Sequence, residues 1–224
     1  MSISIAVDGP GSAGKGTVAQ SVARTLGYQY IDTGAMYRSV ALMAQRAGIP
    51  WNDETAVAEL ARNLAFHFGW DGDVLRVQVD GEDVSAEIRR DGIGRGASDV
   101  SALPEVRAAL LQLQRDLGAG GGVVMDGRDI GTVVLPDAQL KVYLDADLDE
   151  RARRRHDELL RRGEVVSFQQ VRAGLAFRDK QDSEREVAPL KQADDAVYVD
   201  STSLSPAQVV ERVLDLAEAC MKAS

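Results

Sequence analysis

Gly9-Pro10-Gly11-Ser12-Ala13-Gly14-Lys15-Gly16-Thr17 follows directly on the apolar stretch Ile3, Ile5, Ala6 and Val7. An apolar run that enters a glycine-rich turn and then a segment with Val18, Val22 and Leu26 at helical spacing predicts strand, loop and helix. In that setting the turn reads as a phosphate-binding loop. Its backbone N–H groups and the helix N-terminus converge on one anion, and Lys15 adds a point charge beside the terminal phosphates. Glycine suits the turn because a Cβ would crowd the phosphate or forbid left-handed conformations. The blander alternative is an ordinary strand-to-helix connection, against which stand the strand before, the helix after and the lysine in place. A nucleoside triphosphate is therefore the expected ligand. Gly16 stands where the general motif has the serine or threonine that touches magnesium, and the hydroxyl comes one residue later, at Thr17. Direct ligation of the metal by a loop hydroxyl is in question for that reason.

The 224 residues suffice for one large core, and a single domain over 1–224 is expected, with 45% hydrophobic and 27% charged content typical of a globular protein. No stretch approaches the length of a membrane span, and the N-terminus enters a core strand without a basic or cleavable apolar segment. A cytoplasmic location and no membrane partner are expected. The one cysteine, Cys220, excludes an internal disulfide and a Cys-based zinc cluster. A net charge of −9 opposes binding to a nucleic-acid backbone, so phosphate recognition must come from local arginines.

Further along, Tyr28 to Ile31 reads as a short strand, and a helix over about 34–47 would bury Met36, Val40, Met43 and Ala47. Between Leu64 and Val84 the pattern alternates, with Leu75, Val77 and Val79 on one face and the turn dipeptides Asp71-Gly72 and Asp80-Gly81 on either side. This predicts a small antiparallel insertion. Pro104 opens a helix carrying Val106, Leu110, Leu113 and Leu117. Val123 to Asp126 and Leu140 to Leu144 are short apolar runs of the kind that form buried parallel strands. An arginine-crowded helix over 148–162, a last strand at 196–199 and a capping box at Ser205 to Gln208 complete the pattern. The fold class is α/β, a parallel sheet flanked by helices.

Three segments carry charge where ligands of such sheets bind: Asp32-Thr33-Gly34-Ala35-Met36-Tyr37-Arg38, Asp126-Gly127-Arg128-Asp129, and Arg178, Asp182, Arg185 at helical spacing. Taken singly, each has a bland reading. Arg178 with Asp182 would be a surface helix ion pair, Arg107 a solvated-face residue, and Asp126 and Asp129 turn caps around Gly127. Arg151, Arg153, Arg154 and Arg155 begin a helix, the end where the macrodipole disfavours cations. His67 and His156 flank no nucleophile and read as ordinary surface or packing residues.

With these segments in this order the chain resembles the nucleoside monophosphate kinases, and more closely the bacterial cytidylate kinases. The residues that carry the likeness are the loop ending Gly-Lys-Gly-Thr, Asp-Thr-Gly-Ala-Met-Tyr-Arg, Asp-Gly-Arg-Asp-Ile-Gly-Thr-Val-Val, Arg-Asp-Lys-Gln-Asp-Ser-Glu-Arg and Val-Ala-Pro-Leu at 187–190. The resemblance covers essentially the whole chain. It implies a P-loop kinase fold and transfer of the γ-phosphoryl group of ATP to CMP or dCMP, with Mg2+ required and a monomer as the working form. It also implies a monophosphate-binding insertion over 64–90 and a lid over 148–165. By the same resemblance Gly9 to Thr17 serve ATP with some of the lid arginines, for which Arg154 is the candidate, and Lys15, Arg128 and Arg178 are the catalytic candidates. Arg151, Arg154 and Arg155 can share a face, and Arg153 fits least. Thr33, Arg38 and Arg128 would surround the acceptor phosphate, Ser98, Arg107, Asp129 and Arg185 the base, and Arg178 and Asp182 the pentose. Asp126 is a candidate to fix magnesium-bound water.

Three rivals remain. A kinase for another monophosphate is the nearest; an adenylate kinase has a different motif after the second strand, and a zinc-bearing lid is excluded by the lone cysteine, whereas UMP use stays open. A GTP-dependent switch would need an Asn-Lys-x-Asp segment, and neither Asn52 nor Asn63 precedes lysine. A nucleotide-binding scaffold without catalysis would leave the acceptor-side arginines without purpose.

Overall fold

The computed structural model describes residues 2–72, 74–90 and 92–223. The chain runs β1 (Ser4–Asp8), α1 (Lys15–Leu26), β2 (Gln29–Asp32), α2 (Thr33–Arg46), α3 (Glu54–Asn63), β3 (Phe66–Asp71), β4 (Val74–Val79), β5 (Glu82–Asp83), α4 (Ile93–Ser101), α5 (Pro104–Gly118), β6 (Val123–Gly127), β7 (Leu140–Asp145), α6 (Leu148–Arg161), α7 (Phe168–Glu184), β8 (Val197–Asp200) and α8 (Pro206–Ala223). It divides into two compact units, one built from the residues up to Tyr30 together with those from Gly120 onward, the other from Ile31–Ala119.

The first unit holds a five-stranded sheet in the order β2-β6-β1-β7-β8. β1 pairs in parallel with β6 and with β7, and β7 with β8. Every residue of β1 and β6 is buried, which explains why these strands read as continuous apolar runs instead of alternating ones. α1 packs on β6 and α8 packs on α1. Gly27 takes the left-handed conformation that ends α1. α6 and α7 pack on each other around Ala152, Leu159, Val171 and Leu175. α7 starts at a capping box in which Ser167 and Gln170 satisfy each other's backbone N–H groups. Among the described residues no helix is long and apolar enough to cross a membrane.

In the second unit α2 packs on α3 and α4, and α3 on α5. The expected antiparallel element is a separate sheet in the order β3-β4-β5, with Phe68, Leu75, Val77 and Val79 buried. Asp80 and Gly81 have φ of 52° and 82°, the pair of positive values that a tight turn matching strand twist requires. The other hairpin is offset by one residue from the expected dipeptide. Asp71 still belongs to β3 and pairs with Val74, Gly72 has φ of 57°, and Asp73 lies outside the described residues. α2 ends at Arg46, so Ala47 is exposed and Met43 half-buried instead of both lying on the buried face.

Candidate active site

The loop after β1 leaves the carboxyl end of a central strand. From β1 the chain goes to one edge of the sheet and from β7 to the other, so its direction changes beside β1, where open α/β sheets bind ligands. Gly9 has φ of +147°, and a Cβ there would lie 1.9 Å from the Leu144 carbonyl oxygen, which only glycine avoids. Ser12 and Gly14, at φ of 62° and 98°, place left-handed residues two apart, as an anion-binding nest requires. Lys15 is buried and folds back so that Nζ donates to the Pro10 carbonyl at 2.7 Å. Burial, with the Arg128 charge next in weight, pushes its ammonium down to about 7, while Asp126 and Asp8 oppose the shift.

Asp8 closes β1, and both its oxygens are used. Oδ1 accepts from the Ile130 N–H at 2.8 Å and Oδ2 from the Gly131 N–H at 2.7 Å, which ties the turn after β6 to the strand that carries the loop. Burial pushes the Asp8 carboxyl up to about 6, the two N–H groups holding it back. The sequence reading passed over Asp8, although a carboxylate that ends a buried strand just before the glycine loop was a usable signal. It also passed over Tyr30, whose hydroxyl donates to Asp126 Oδ1 at 2.8 Å with both side chains buried.

Beyond β6 the expected residues assemble into an alternating string of charge. Arg128 Nε donates to Asp182 Oδ2 at 2.8 Å, Asp182 faces Arg185 at 3.8 Å, and Arg185 reaches Asp129 at 3.4 Å. Burial works against the Arg128 charge, yet Asp182 and Asp126 outweigh it and hold the guanidinium above its ordinary range. Burial likewise pushes the Asp182 carboxyl up, but Arg128 overcomes this and the group sits below the usual carboxylate range. Asp182 is therefore not half of an exposed pair with Arg178; it is buried and bonded to Arg128, with Arg178 contributing charge nearby. Arg185 is not on the helix either. α7 ends at Glu184, Arg185 is extended, and its Nε donates to the Ala188 carbonyl at 2.7 Å ahead of Pro189, which cannot continue a helix.

Two of the four arginines that begin α6 touch the phosphate loop through its carbonyl oxygens. Arg151 is buried and donates to Ala146 at 2.8 Å, Gly11 at 3.2 Å and the Asp179 carboxylate at 2.6 Å. Arg154 donates to Ala13 at 3.3 Å and to the Ser201 hydroxyl and carbonyl at 3.0 and 2.6 Å. Arg153 and Arg155 instead pair with carboxylates of their own helix. Glu150 bonds both Arg153 and Arg154, which offsets cations at a helix start.

In the second unit Asp32 caps α2, accepting from the Ala35 N–H at 2.8 Å, and pairs with Arg38 at 2.7 Å. A Cβ at Gly34 would come within 3.1 Å of both partners, so this glycine lets the arginine fold onto the cap. Arg38 Nε is buried and has no hydrogen-bond partner, as a donor kept for a ligand would be. Thr33 opens α2 and Ser98 lies on α4, both buried. Arg107 is buried rather than solvated. Its guanidinium lies 5.5 Å from the centre of the Tyr37 ring and donates to the Ser101 carbonyl at 3.2 Å.

Of the histidines, His156 bonds the Val166 carbonyl at 3.0 Å and packs edge-on against Phe168, and His67 is exposed. Among the described residues no cluster of three or more His, Cys, Asp or Glu side chains could hold a metal unaided. The Asp126 carboxylate, whose charge reaches Lys15 of the loop, fits the water shell of a hard cation that takes its other oxygens from phosphates.

A family model described as "Cytidylate kinase" matches residues 5–219. The cytidylate kinase of Geobacter sp. (strain M21) is 53% identical over 218 residues, covering 97% of this chain and 92% of that protein. That of Exiguobacterium sp. (strain ATCC BAA-1283 / AT1b) is 49% identical over 217 residues, covering 97% of each. Among solved structures, a gluconokinase from Sinorhizobium meliloti 1021 aligns over 98% of this chain and 94% of its own with a TM-score of 0.50 at 18% identity, a likeness of fold alone.

Proposed function

Because the chain belongs to the cytidylate kinase family, we propose that it transfers the γ-phosphoryl group of ATP to CMP or dCMP, giving ADP and CDP or dCDP. The observation that carries the reading furthest is the buried Lys15, held over a loop whose left-handed residues form a cradle for phosphate. The acceptor is a phosphate oxygen, largely ionised at neutral pH because the second pKa of a phosphomonoester is about 6. No general base is needed, in keeping with histidines that are exposed or tied to packing.

What the reaction needs is positive charge on two phosphate chains that repel each other, and exclusion of water. We assign Gly9 to Thr17, Lys15 and Arg154 to the donor. Thr33, Arg38 and Arg128 are assigned to the acceptor phosphate, Ser98, Arg107, Asp129 and Arg185 to the base, and Arg178 and Asp182 to the pentose, with Arg178 also near the transferring group. Mg2+ bound with ATP would neutralise developing charge on the phosphates, and Asp126 would hold its water. The segment 148–165 is assigned to a lid over ATP, and 64–90 to a mobile element of acceptor binding that should gain hydrogen-exchange protection when CMP saturates the protein. By the same reading the protein works as a monomer in the cytoplasm, the first of which sedimentation analysis checks.

The deciding experiment is ADP release with ATP and each ribo- and deoxyribonucleoside monophosphate. CMP and dCMP should exceed UMP by at least about tenfold in kcat/KM. Release of ADP with none of them would reduce the protein to a nucleotide-binding scaffold.

A further inference from the structure

We infer that Tyr30 is a positioning residue of the phosphate site, its hydroxyl orienting Asp126 from the space that a serine or threonine at position 16 would enter. The inference rests on the kinase reading above. Phosphate loops commonly end in lysine followed by a hydroxyl residue that meets the metal, and here that place is Gly16. Thr17 does not replace it, being exposed one residue farther along α1. A Cβ built on Gly16 would point at one neighbour within 4 Å, the Tyr30 hydroxyl, at 3.4 Å. The tyrosine hydroxyl therefore occupies the space into which a side chain at 16 would extend.

From there it donates to Asp126 Oδ1 at 2.8 Å, so the carboxylate at the end of β6 is held by a neutral donor that comes from β2 instead of from the loop. Tyr30 is 3% exposed. Asp126 is close enough to the loop for its charge to act on Lys15. A neutral donor on one carboxylate oxygen orients the group without neutralising it, so its charge still acts on a cation's water shell. Gly16 and Tyr30 are thus two halves of one arrangement. The loop gives up its hydroxyl, and the strand supplies one at the same place.

A merely structural tyrosine would satisfy a buried carboxylate and nothing more. The two roles separate in metal affinity. Mn2+ binding to the protein–ADP complex, followed by electron paramagnetic resonance, should weaken about tenfold in Tyr30→Phe, the lower end of what loss of an outer hydrogen bond costs a metal site. ADP binding in EDTA should stay within about twofold of the parent, since the metal-independent contacts are untouched. Adding Gly16→Ser to Tyr30→Phe should restore most of the lost Mn2+ affinity, because the vacated space then receives a loop hydroxyl.

Unchanged Mn2+ affinity in a folded Tyr30→Phe protein overturns the inference, as does a folded double variant that recovers nothing. If the single variant does not fold, the double variant decides: folded and binding Mn2+ it supports the inference, unfolded it makes the hydroxyl purely structural and overturns it. Failure of the parent protein itself to bind Mn2+ with ADP would count against the kinase reading rather than against Tyr30.

Discussion

The phosphate loop with its supports and the small antiparallel sheet are both rich in charge, but they use it in opposite ways. Around the loop, ionic side chains bond to the backbone and are buried or, for Arg154, half-buried: Lys15 to Pro10, Asp8 to Ile130 and Gly131, Arg151 to Gly11, Arg154 to Ala13. On the small sheet, Arg76 pairs with Asp71 and Asp83 while each side chain stays at least 40% exposed. Arg46 of α2 likewise pairs with Glu82 and Glu87. A buried charge on a backbone partner fixes where the chain runs, at a desolvation cost. An exposed pair is screened by water and salt and fixes little. The loop region is thus ordered for binding at some expense of stability, whereas the sheet takes its stability from Phe68, Leu75, Val77 and Val79.

The largest consequence should appear at Lys15. Lys15→Met should lower turnover by about 10² to 10³, the usual loss when a preorganised charge on the transferring group is removed. Its stability should be unchanged or raised. The folded-state pKa, near 7, lies below the ordinary lysine value of 10.5, so the unfolded chain binds the extra proton between these values and the parent gains stability as pH rises through that window. The variant lacks this term, so its melting temperature relative to the parent should be highest below pH 7 and decline toward pH 10. Turnover above about a tenth of the parent would remove Lys15 from the mechanism.

Next comes Asp129. Cytosine presents an amino donor at C4 and an acceptor at N3, where uracil presents the reverse, so a carboxylate facing C4 suits cytosine alone. Mismatched buried polar groups cost about 1 to 3 kcal/mol each, and Asp129→Ala should narrow the CMP to UMP ratio of kcat/KM by about tenfold. If both substrates fall by one common factor, Asp129 serves only to place Arg185 and Arg128.

Arg154→Ala tests the backbone-anchoring side of the contrast. With its bonds to Ala13 and Ser201 gone, the free protein should lose about 1 to 2 kcal/mol in denaturant unfolding, and ATP binding should weaken as well. An unaltered midpoint would mean that these bonds order nothing in the absence of nucleotide. The smallest effect belongs to the sheet. Arg76→Ala should change stability by less than about 0.5 kcal/mol, and a loss several times larger would show that its exposed pairs act as a network.

The parallel strands, α1, the arginine-rich helix and the phosphate loop were legible because their signals are local: apolar runs, helical spacing, glycine before and after. α3 offered such a signal and was overlooked, with Asp53 capping it and Val57, Ala58 and Ala61 buried on one side. α4 offered none. It carries Gly94 and Gly96, which disfavour helix, and a Cβ at Gly96 would lie 2.5 Å from the Trp51 ring, so tertiary packing selected the glycine over helix propensity. The candidate site residues stand out as types in motifs, but the partners they bond to do not. The bland alternative of a solvated Arg107 fails because the side chain is buried, and nothing along the chain marks the bond between Asp182 and Arg128.

By itself the sequence determined the α/β class, the phosphate loop and the motifs that mark the cytidylate kinase family, because strand runs, helix periods and the loop's glycines act over a few neighbours. Only the tertiary structure decided which charges meet. Asp8 and the turn at 130–131, Tyr30 and Asp126, and Arg128 and Asp182 are far apart in the chain, and hydrogen bonds at 2.7 to 2.8 Å between them exist only once the sheet has brought the ends of its strands side by side. Burial then shifts the protonation of Asp8 and Lys15, a property of the assembled site that no spacing along the chain encodes.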